Sequence, residues 1–378
     1  MKVLILSCNT GQGHNTASKA LKEEWERRGV TCDICDALAF GGVTFSRGTC
    51  RAYTEIVIHT PALFGLGYRA AGALSSAARM KSPVYLINKL YSRRMYKYIV
   101  NGGYDTLIIP HIFPAQSITS MRKHFPLDAG CYMVSTDYTC VPFSRELNLD
   151  AIFVPHEQLL PEFEAHGVTS PLVATGIPVS ARFASHIPQE QAREELNLPQ
   201  QVPIYLIMSG SMGFGHLDGL IRMLLIRAPQ TAQLVVMGGN NEALKTQLRR
   251  EFAGDRVTVL DFTDRVSDYM DAADVLFTKP GGLTTTEAAV KTIALVHTAP
   301  IPGVETANVE FFRKNGLAVT GDTLEELMHN AMPLLESEQA RAEMRARQSA
   351  VIHRRTDLEI CDYIEMDYVR VHGHAPTP

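Results

Sequence analysis

The sequence predicts an α/β protein of two doubly wound domains, each with a parallel sheet, facing one another across a cleft. Three observations carry this expectation. Apolar runs of strand type alternate with amphipathic helical stretches through most of the 378 residues. A strand that ends in glycines and opens a helix occurs near the start of the chain and again from residue 203. Polar residues His14, His111, Asp137 and His156 stand at the exits of successive strands in the first half, where open α/β sheets place ligands. The expected limits are residues 1–183 for the first domain, 184–202 for a linker and 203–350 for the second domain. Residues 351–378 form a C-terminal helix whose apolar stripe suits packing back on the first domain.

In chain order, KVLILS reads as a buried parallel strand, and CNTGQGHNTASKALKEEWERRG as a glycine loop running into a helix. Ala17, Ala20, Leu21 and Trp25 mark the buried face of that helix. VTCDICDAL follows as the second strand, giving a βαβ opening that is right-handed by default. The loop departs from the G-x-G-x-x-G fingerprint, because Thr16 stands where the third glycine belongs. Asp33 lies about twenty residues on, so a dinucleotide site stays open. His14 falls at the start of a helix and the carboxyl end of the first strand, as a ligand group or as an exposed loop residue. Cys32 and Cys35 form a C-x-x-C without a second pair, on a strand where i and i+3 point to opposite faces; a metal or redox role is not expected.

Residues 56–104 contain no Asp or Glu but carry Arg69, Arg79, Lys81, Lys89, Arg93, Arg94 and Lys97. Between them lie many apolar and aromatic residues, Phe64, Tyr68, Tyr85, Tyr91, Tyr96 and Tyr98 among them. That mixture describes an element that lies on an anionic membrane surface. At about 1 kcal/mol per basic residue near such a surface, the total suffices for peripheral attachment. A pair of core helices with a solvated basic face is the alternative.

YDTLIIP, CYMVSTDYTCVPF, AIFVP and PLVATG supply further strands of the first domain. Two prolines, Pro188 and Pro199, flank a short charged helix in 184–202. PIYLIM then repeats the opening strand, with Gly210, Gly213 and Gly215 in the loop behind it. QLVVM, RVTVLDF and DVLFT continue the alternation. After DVLFT, Pro280-Gly281-Gly282 forces a turn into the helix LTTTEAAVKT, which aims free backbone N–H groups past the strand end. This is an anion pocket, and the exit Pro300-Ile301-Pro302-Gly303 brings Glu305 and Asn308 as polar groups beside it.

At 46% hydrophobic and 20% charged the chain is an ordinary soluble globular protein. A net charge of −4 gives no general attraction to nucleic acid, and none is expected as a partner. The apolar run at the N-terminus is too short for a signal peptide, and no run approaches the length of a spanning helix. Seven cysteines without framework spacing fit a reducing cytoplasm. The expected location is cytoplasmic, attached to the inner face of the cell membrane.

TGQGHNTAS, VSTDYT, ATGIPV, FTKPGGLTTTEA and PIPGVETAN, in this order and spacing, resemble the monogalactosyldiacylglycerol synthase and processive diacylglycerol glucosyltransferase group. Those enzymes are inverting glycosyltransferases of the GT-B fold, two Rossmann-like domains, distantly similar to the lipid II N-acetylglucosaminyltransferase. The resemblance implies a UDP-sugar donor on the second domain and a lipid hydroxyl, diacylglycerol above all, presented to the first. It implies that Glu287 binds the ribose hydroxyls, although Thr284-x-x-Glu287 also reads as a capping box. Gly281, Gly282, Leu283 and Thr284, with Lys279 beside them and Gly210, Gly213 and Gly215 opposite, would hold the diphosphate, where the helix dipole helps the UDP leaving group. Phe262 would border the uracil, and Glu305 and Asn308 would face the hexose.

No D-x-D occurs in the chain, so a metal-independent mechanism without cofactor is expected. The resemblance makes His14 the general base for the acceptor hydroxyl, with Asp137 orienting it or binding the acceptor. Two departures stand out. Val304 replaces a glutamine that the family often has near the sugar, and YTCVPF replaces a histidine and tryptophan that many members carry after Asp137. Two other functions suit the same architecture: a UDP-sugar epimerase, which needs no lipid, and a membrane sensor that binds a nucleotide sugar without turnover.

Overall fold

A computed structural model describes every residue except 9–11, 43–47, 49–82, 211–216, 253, 255, 299 and 376–378. The chain divides into two compact units. The first holds residues 1–181, 301–304 and 355–378, and the second holds 182–300 and 305–354.

The first unit contains a six-stranded sheet of β1 (Lys2–Ser7), β2 (Thr31–Asp36), β3 (Thr106–Ile109), β4 (Gly130–Val134), β5 (Ala151–Val154) and β6 (Leu172–Ala174), in the order β2-β1-β3-β4-β5-β6. Every pairing is parallel. A parallel sheet covered on both faces needs apolar side chains at successive positions, and Val3, Leu4, Ile5 and Leu6 are all fully buried. Helix α1 (Gln12–Arg27) buries Ala17, Ala20, Leu21 and Trp25, the face that its periodicity predicts. Cys32 and Cys35 lie on β2, and burial pushes the Cys32 thiol up to about 12, so its reactive thiolate is disfavoured.

The C-terminal helix Thr356–His372 belongs to this unit. Its Ile360, Cys361 and Ile364 join Val3, Ile5, Leu21 and Trp25 in one apolar cluster. Polar contacts fix its register at the rim. Arg28 pairs with Asp362 at 2.7 Å and Glu365 at 2.9 Å, and the Tyr132 hydroxyl donates to Asp367 at 2.7 Å.

Helix α2 (Pro83–Gly102) carries both properties read from the basic segment. Tyr91, Met95 and Ile99, spaced at i, i+4 and i+8, are buried, while Arg93, Arg94, Lys97, Tyr98 and Val100 are exposed. Lys89 falls on the same helix, and Arg69, Arg79 and Lys81 lie outside the described residues. Among the described residues no helix is long and apolar enough to cross a membrane.

The second unit contains a five-stranded parallel sheet in the order β11-β10-β7-β8-β9. Its strands are β7 (Ile204–Met208), β8 (Gln233–Met237), β9 (Val257–Leu260), β10 (Val275–Thr278) and β11 (Ala294–His297). Helices α3 (Leu217–Arg227), α4 (Gly282–Val290) and α5 (Val304–Lys314) belong to its crossovers. Residues 184–202, expected as a linker, pack into this unit instead. Arg193 is buried, pairs with Asp274 at 2.9 Å and donates to the carbonyls of Ala272 and Gln200. Charge and proline suggested a linker, but the Arg193 charge is satisfied inside this unit.

Each sheet has one place where strand order reverses. In the first it is β1, flanked by β2 and β3; in the second it is β7, flanked by β8 and β10. Helices leave opposite faces of the sheet there, so a crevice opens at the strand carboxyl ends.

Candidate functional site

The reversal point of the first sheet brings His14 and His111 together. β1 feeds α1, whose third residue is His14, and β3 ends one residue before Pro110-His111. The two rings meet edge to face with centroids 4.6 Å apart. His14 Nδ1 lies 2.9 Å from the Thr136 hydroxyl, and the ring also donates to the Pro110 carbonyl. Desolvation outweighs that carbonyl and holds the His14 pKa down to about 4, so the ring is unprotonated at pH 7, though a weaker base than a solvated imidazole. His111 caps the helix Ile112–His124, its Nδ1 accepting from the Phe113 N–H at 3.1 Å. That contact needs an unprotonated nitrogen, and burial together with the neighbouring His14 holds His111 well below the usual histidine range. His156 plays the same capping part toward Gln158 at 3.2 Å.

Asp137, expected to orient His14, is half-buried in the turn after β4, where its carbonyl accepts from the Thr139 N–H at 2.8 Å. The side chain seen on His14 is that of the preceding residue, Thr136, which sequence reasoning passed over. Its only signal was membership of VSTDYT.

The reversal point of the second sheet brings Gly210, Lys279 and the start of α4 together. Gly210 has φ +72, and a Cβ there would stand 2.7 Å from Lys279 Cε, so the lysine stem lies where any other residue's side chain would be. Gly213 and Gly215 lie outside the described residues. Helix α4 begins after Gly281, which provides no side-chain cap. The first turn of a helix leaves its N–H groups, here those of Gly282, Leu283 and Thr284, without helical carbonyl partners. An amine and a helix N-terminus converging at a switch point make a place for an anion.

Glu287 is 6% exposed and lies on α4 beyond its first turn. Thr284 is inside the helix rather than at its N-cap, so the capping-box alternative for Glu287 falls away. The structure shows no hydrogen bond to its carboxyl group among the described residues. Burial raises its pKa to about 8, against the opposing pull of the Arg182 guanidinium. A buried, unpaired carboxyl group is costly unless something else satisfies it. Arg182 was also missed, since nothing in PVSARF ties it to a residue a hundred positions away.

Glu305 and Asn308 occupy the first two turns of α5. Glu305 Oε1 lies 2.5 Å from Lys279 Nζ, and Asn308 is fully buried, its amide donating to the Pro280 carbonyl at 2.9 Å. Asn308 thereby braces the Pro280-Gly281 turn. Phe262, just past β9, is 73% exposed, an apolar ring with no cover of its own.

Buried His297 and half-buried His14 and His111 have a measurable consequence. His14 is lowered to about 4, His297 to about 3, and His111 is also lowered. Groups with depressed histidine pKa values cost nothing above about pH 6.5. Below it the unfolded chain takes up protons that the folded one refuses, so stability falls as pH drops toward 4 and then 3. Glu287 has the opposite sign, losing stability between about pH 4.5 and 8, but it is one group against three. We therefore expect the urea midpoint to fall between pH 7 and pH 5, with His297→Gln reducing that fall. An unchanged midpoint would contradict the burial account.

Comparison with known proteins places these sites in context. Residues 14–179 match the model of the family described as monogalactosyldiacylglycerol (MGDG) synthase, and residues 204–354 match that of the glycosyltransferase family 28 C-terminal domain. The processive diacylglycerol beta-glucosyltransferase of Bacillus subtilis (strain 168) is 27% identical over 353 residues, covering 89% of this chain and 87% of that protein. Its Bacillus pumilus (strain SAFR-032) counterpart is 26% identical over 345 residues, covering 89% and 88%. Among solved structures, MurG of Acinetobacter baumannii superposes with a TM-score of 0.65 at 15% identity, covering 97% of this chain and 99% of that one. Sucrose-phosphate synthase of Thermosynechococcus elongatus gives 0.62 at 14% identity, covering 98% and 100%. At such identities the structural likeness speaks to the fold, which is GT-B.

Proposed function

We propose that this chain, which is similar over residues 14–179 to the monogalactosyldiacylglycerol synthase family and along most of its length to processive diacylglycerol glucosyltransferases, transfers a hexose from a UDP-sugar to the free hydroxyl of diacylglycerol, with inversion. The observation that carries this reading is the unpaired, buried Glu287 on a helix whose uncapped N-terminus faces a lysine. A diphosphate suits the N-terminus and Lys279, and a ribose diol suits a carboxyl group that has no hydrogen-bond partner of its own. Gly213 and Gly215 would add backbone N–H groups to the diphosphate, and Phe262 would cover the uracil. Charge neutralisation by Lys279 and the α4 dipole takes the place of a metal on the leaving group.

In this mechanism His14 removes the acceptor proton as the oxygen attacks the anomeric carbon from the face opposite UDP. The neutral ring is the competent form, and Thr136 with the Pro110 carbonyl holds it in one orientation. Asp137 is assigned to the acceptor end. The exposed face of α2, with Arg93, Arg94 and Lys97, would rest on an anionic membrane surface, which makes the protein peripheral at the inner face of the cell membrane.

The test supplies radiolabelled UDP-glucose and UDP-galactose separately with diacylglycerol vesicles, with and without anionic lipid. A labelled glycolipid from one donor, formed faster on anionic vesicles, is expected. Labelled lipid from neither donor would sink the proposal. Conversion of a UDP-sugar to its epimer without lipid would instead favour an epimerase, and donor binding with neither product would favour a sensor.

A further inference from the structure

The Lys279–Glu305 pair sits where the proposed donor's diphosphate would go. A Cβ on Gly281 would lie 3.8 Å from Glu305 Oε1 and 4.0 Å from Lys279 Nζ, so both groups crowd the N-cap of α4. The lysine stem is held over Gly210, and the Glu305 side chain is only 11% exposed. Glu305 also stands in the first turn of its own helix, α5, whose dipole favours a negative charge there. The carboxylate therefore lies against both cationic features of the anion site, the lysine ammonium and the N-terminal end of α4.

We propose that Glu305 is a built-in stand-in for the donor diphosphate: it holds Lys279 when the site is empty, yields it when UDP-sugar binds, and reclaims it to expel UDP. This rests on the donor reading given above and assigns Glu305 a role toward the phosphates rather than the hexose. One lysine cannot serve a carboxylate and a diphosphate equally, and two like-charged groups at that spacing repel one another. Asn308, bonded to the Pro280 carbonyl, keeps α5 docked while the Glu305 side chain alone changes partner. Such exchange weakens binding of substrate and product together, which favours turnover when product release limits the rate.

The experiment is a double-mutant cycle read by calorimetric titration with UDP, which lacks the hexose. Glu305→Gln is expected to bind UDP about tenfold more tightly than the unaltered protein. In a Lys279→Met background the same substitution should give no gain, because the contested partner is gone. In steady state Glu305→Gln should lower KM for the donor and kcat together, with stronger inhibition by UDP. Glu305→Ala replaces it should the glutamine variant not fold. Unchanged or weaker UDP binding by the Glu305 variants would overturn the inference while leaving the donor reading intact. No UDP binding by the unaltered protein would overturn both.

Discussion

His14→Ala is expected to lower kcat/KM by about 10³-fold, the middle of the range for a positioned general base, while leaving UDP affinity unchanged. The prediction follows from the ring's confinement. Thr136 at 2.9 Å, the Pro110 carbonyl and the His111 ring at 4.6 Å surround an imidazole that burial keeps neutral down to about pH 4. The pH profile should carry the same signature. A base must be unprotonated to act, so the rate should hold from pH 8 to about 5 and fall only below that. An acid limb centred at about 6.5, the value of a solvated histidine, would show that the ring is open to water during turnover. Retention of most activity by His14→Ala would remove it from the mechanism altogether.

Glu287→Ala should weaken UDP binding by about 100-fold, since hydrogen bonds to a charged group are worth roughly 1.5–3 kcal/mol each and a ribose offers two hydroxyls. Protein stability should not fall in step. Burial raises this carboxyl to about 8, so removing it relieves the fold of an unpaired polar group. The same shift predicts a proton signature. At pH 7 the empty site holds Glu287 mostly protonated, whereas a carboxylate accepts best from two hydroxyls. UDP binding should then release close to one proton, measurable by calorimetry in buffers of different ionisation enthalpy. Unaltered UDP affinity in Glu287→Ala would place the ribose elsewhere.

Much of the fold was legible because the parallel strands of this protein are short, apolar and bounded by Gly, Pro or polar residues. KVLILS, PIYLIM and DVLFT needed no partner to be recognised, and the α1 face of Ala17, Ala20, Leu21 and Trp25 follows from helical period alone. The candidate anion site was legible for a related reason: a strand, a glycine turn and a helix start are consecutive in sequence, and they fix where backbone N–H groups point. Residues 184–202 misled because sequence shows charge but not its partner. Arg193 counts only as one charge of a short helix until Asp274 and the Ala272 carbonyl are seen around it.

The sequence by itself determined the two strand–loop–helix units and the family resemblance, and it singled out His14, Glu287, Lys279 and the glycines as candidates. Those are local features, set by periodicity, turn chemistry and motif order. Only the tertiary structure decided which groups lie near enough to act on each one. Thr136 on His14, Arg182 acting on Glu287, and Glu305 closed on Lys279 join residues from 26 to 122 positions apart. Such contacts depend on strand order, which puts β1 beside β3 and β7 beside β10. The protonation states depend on it too, because burial and neighbouring charges, not residue type, lower His14 and raise Glu287.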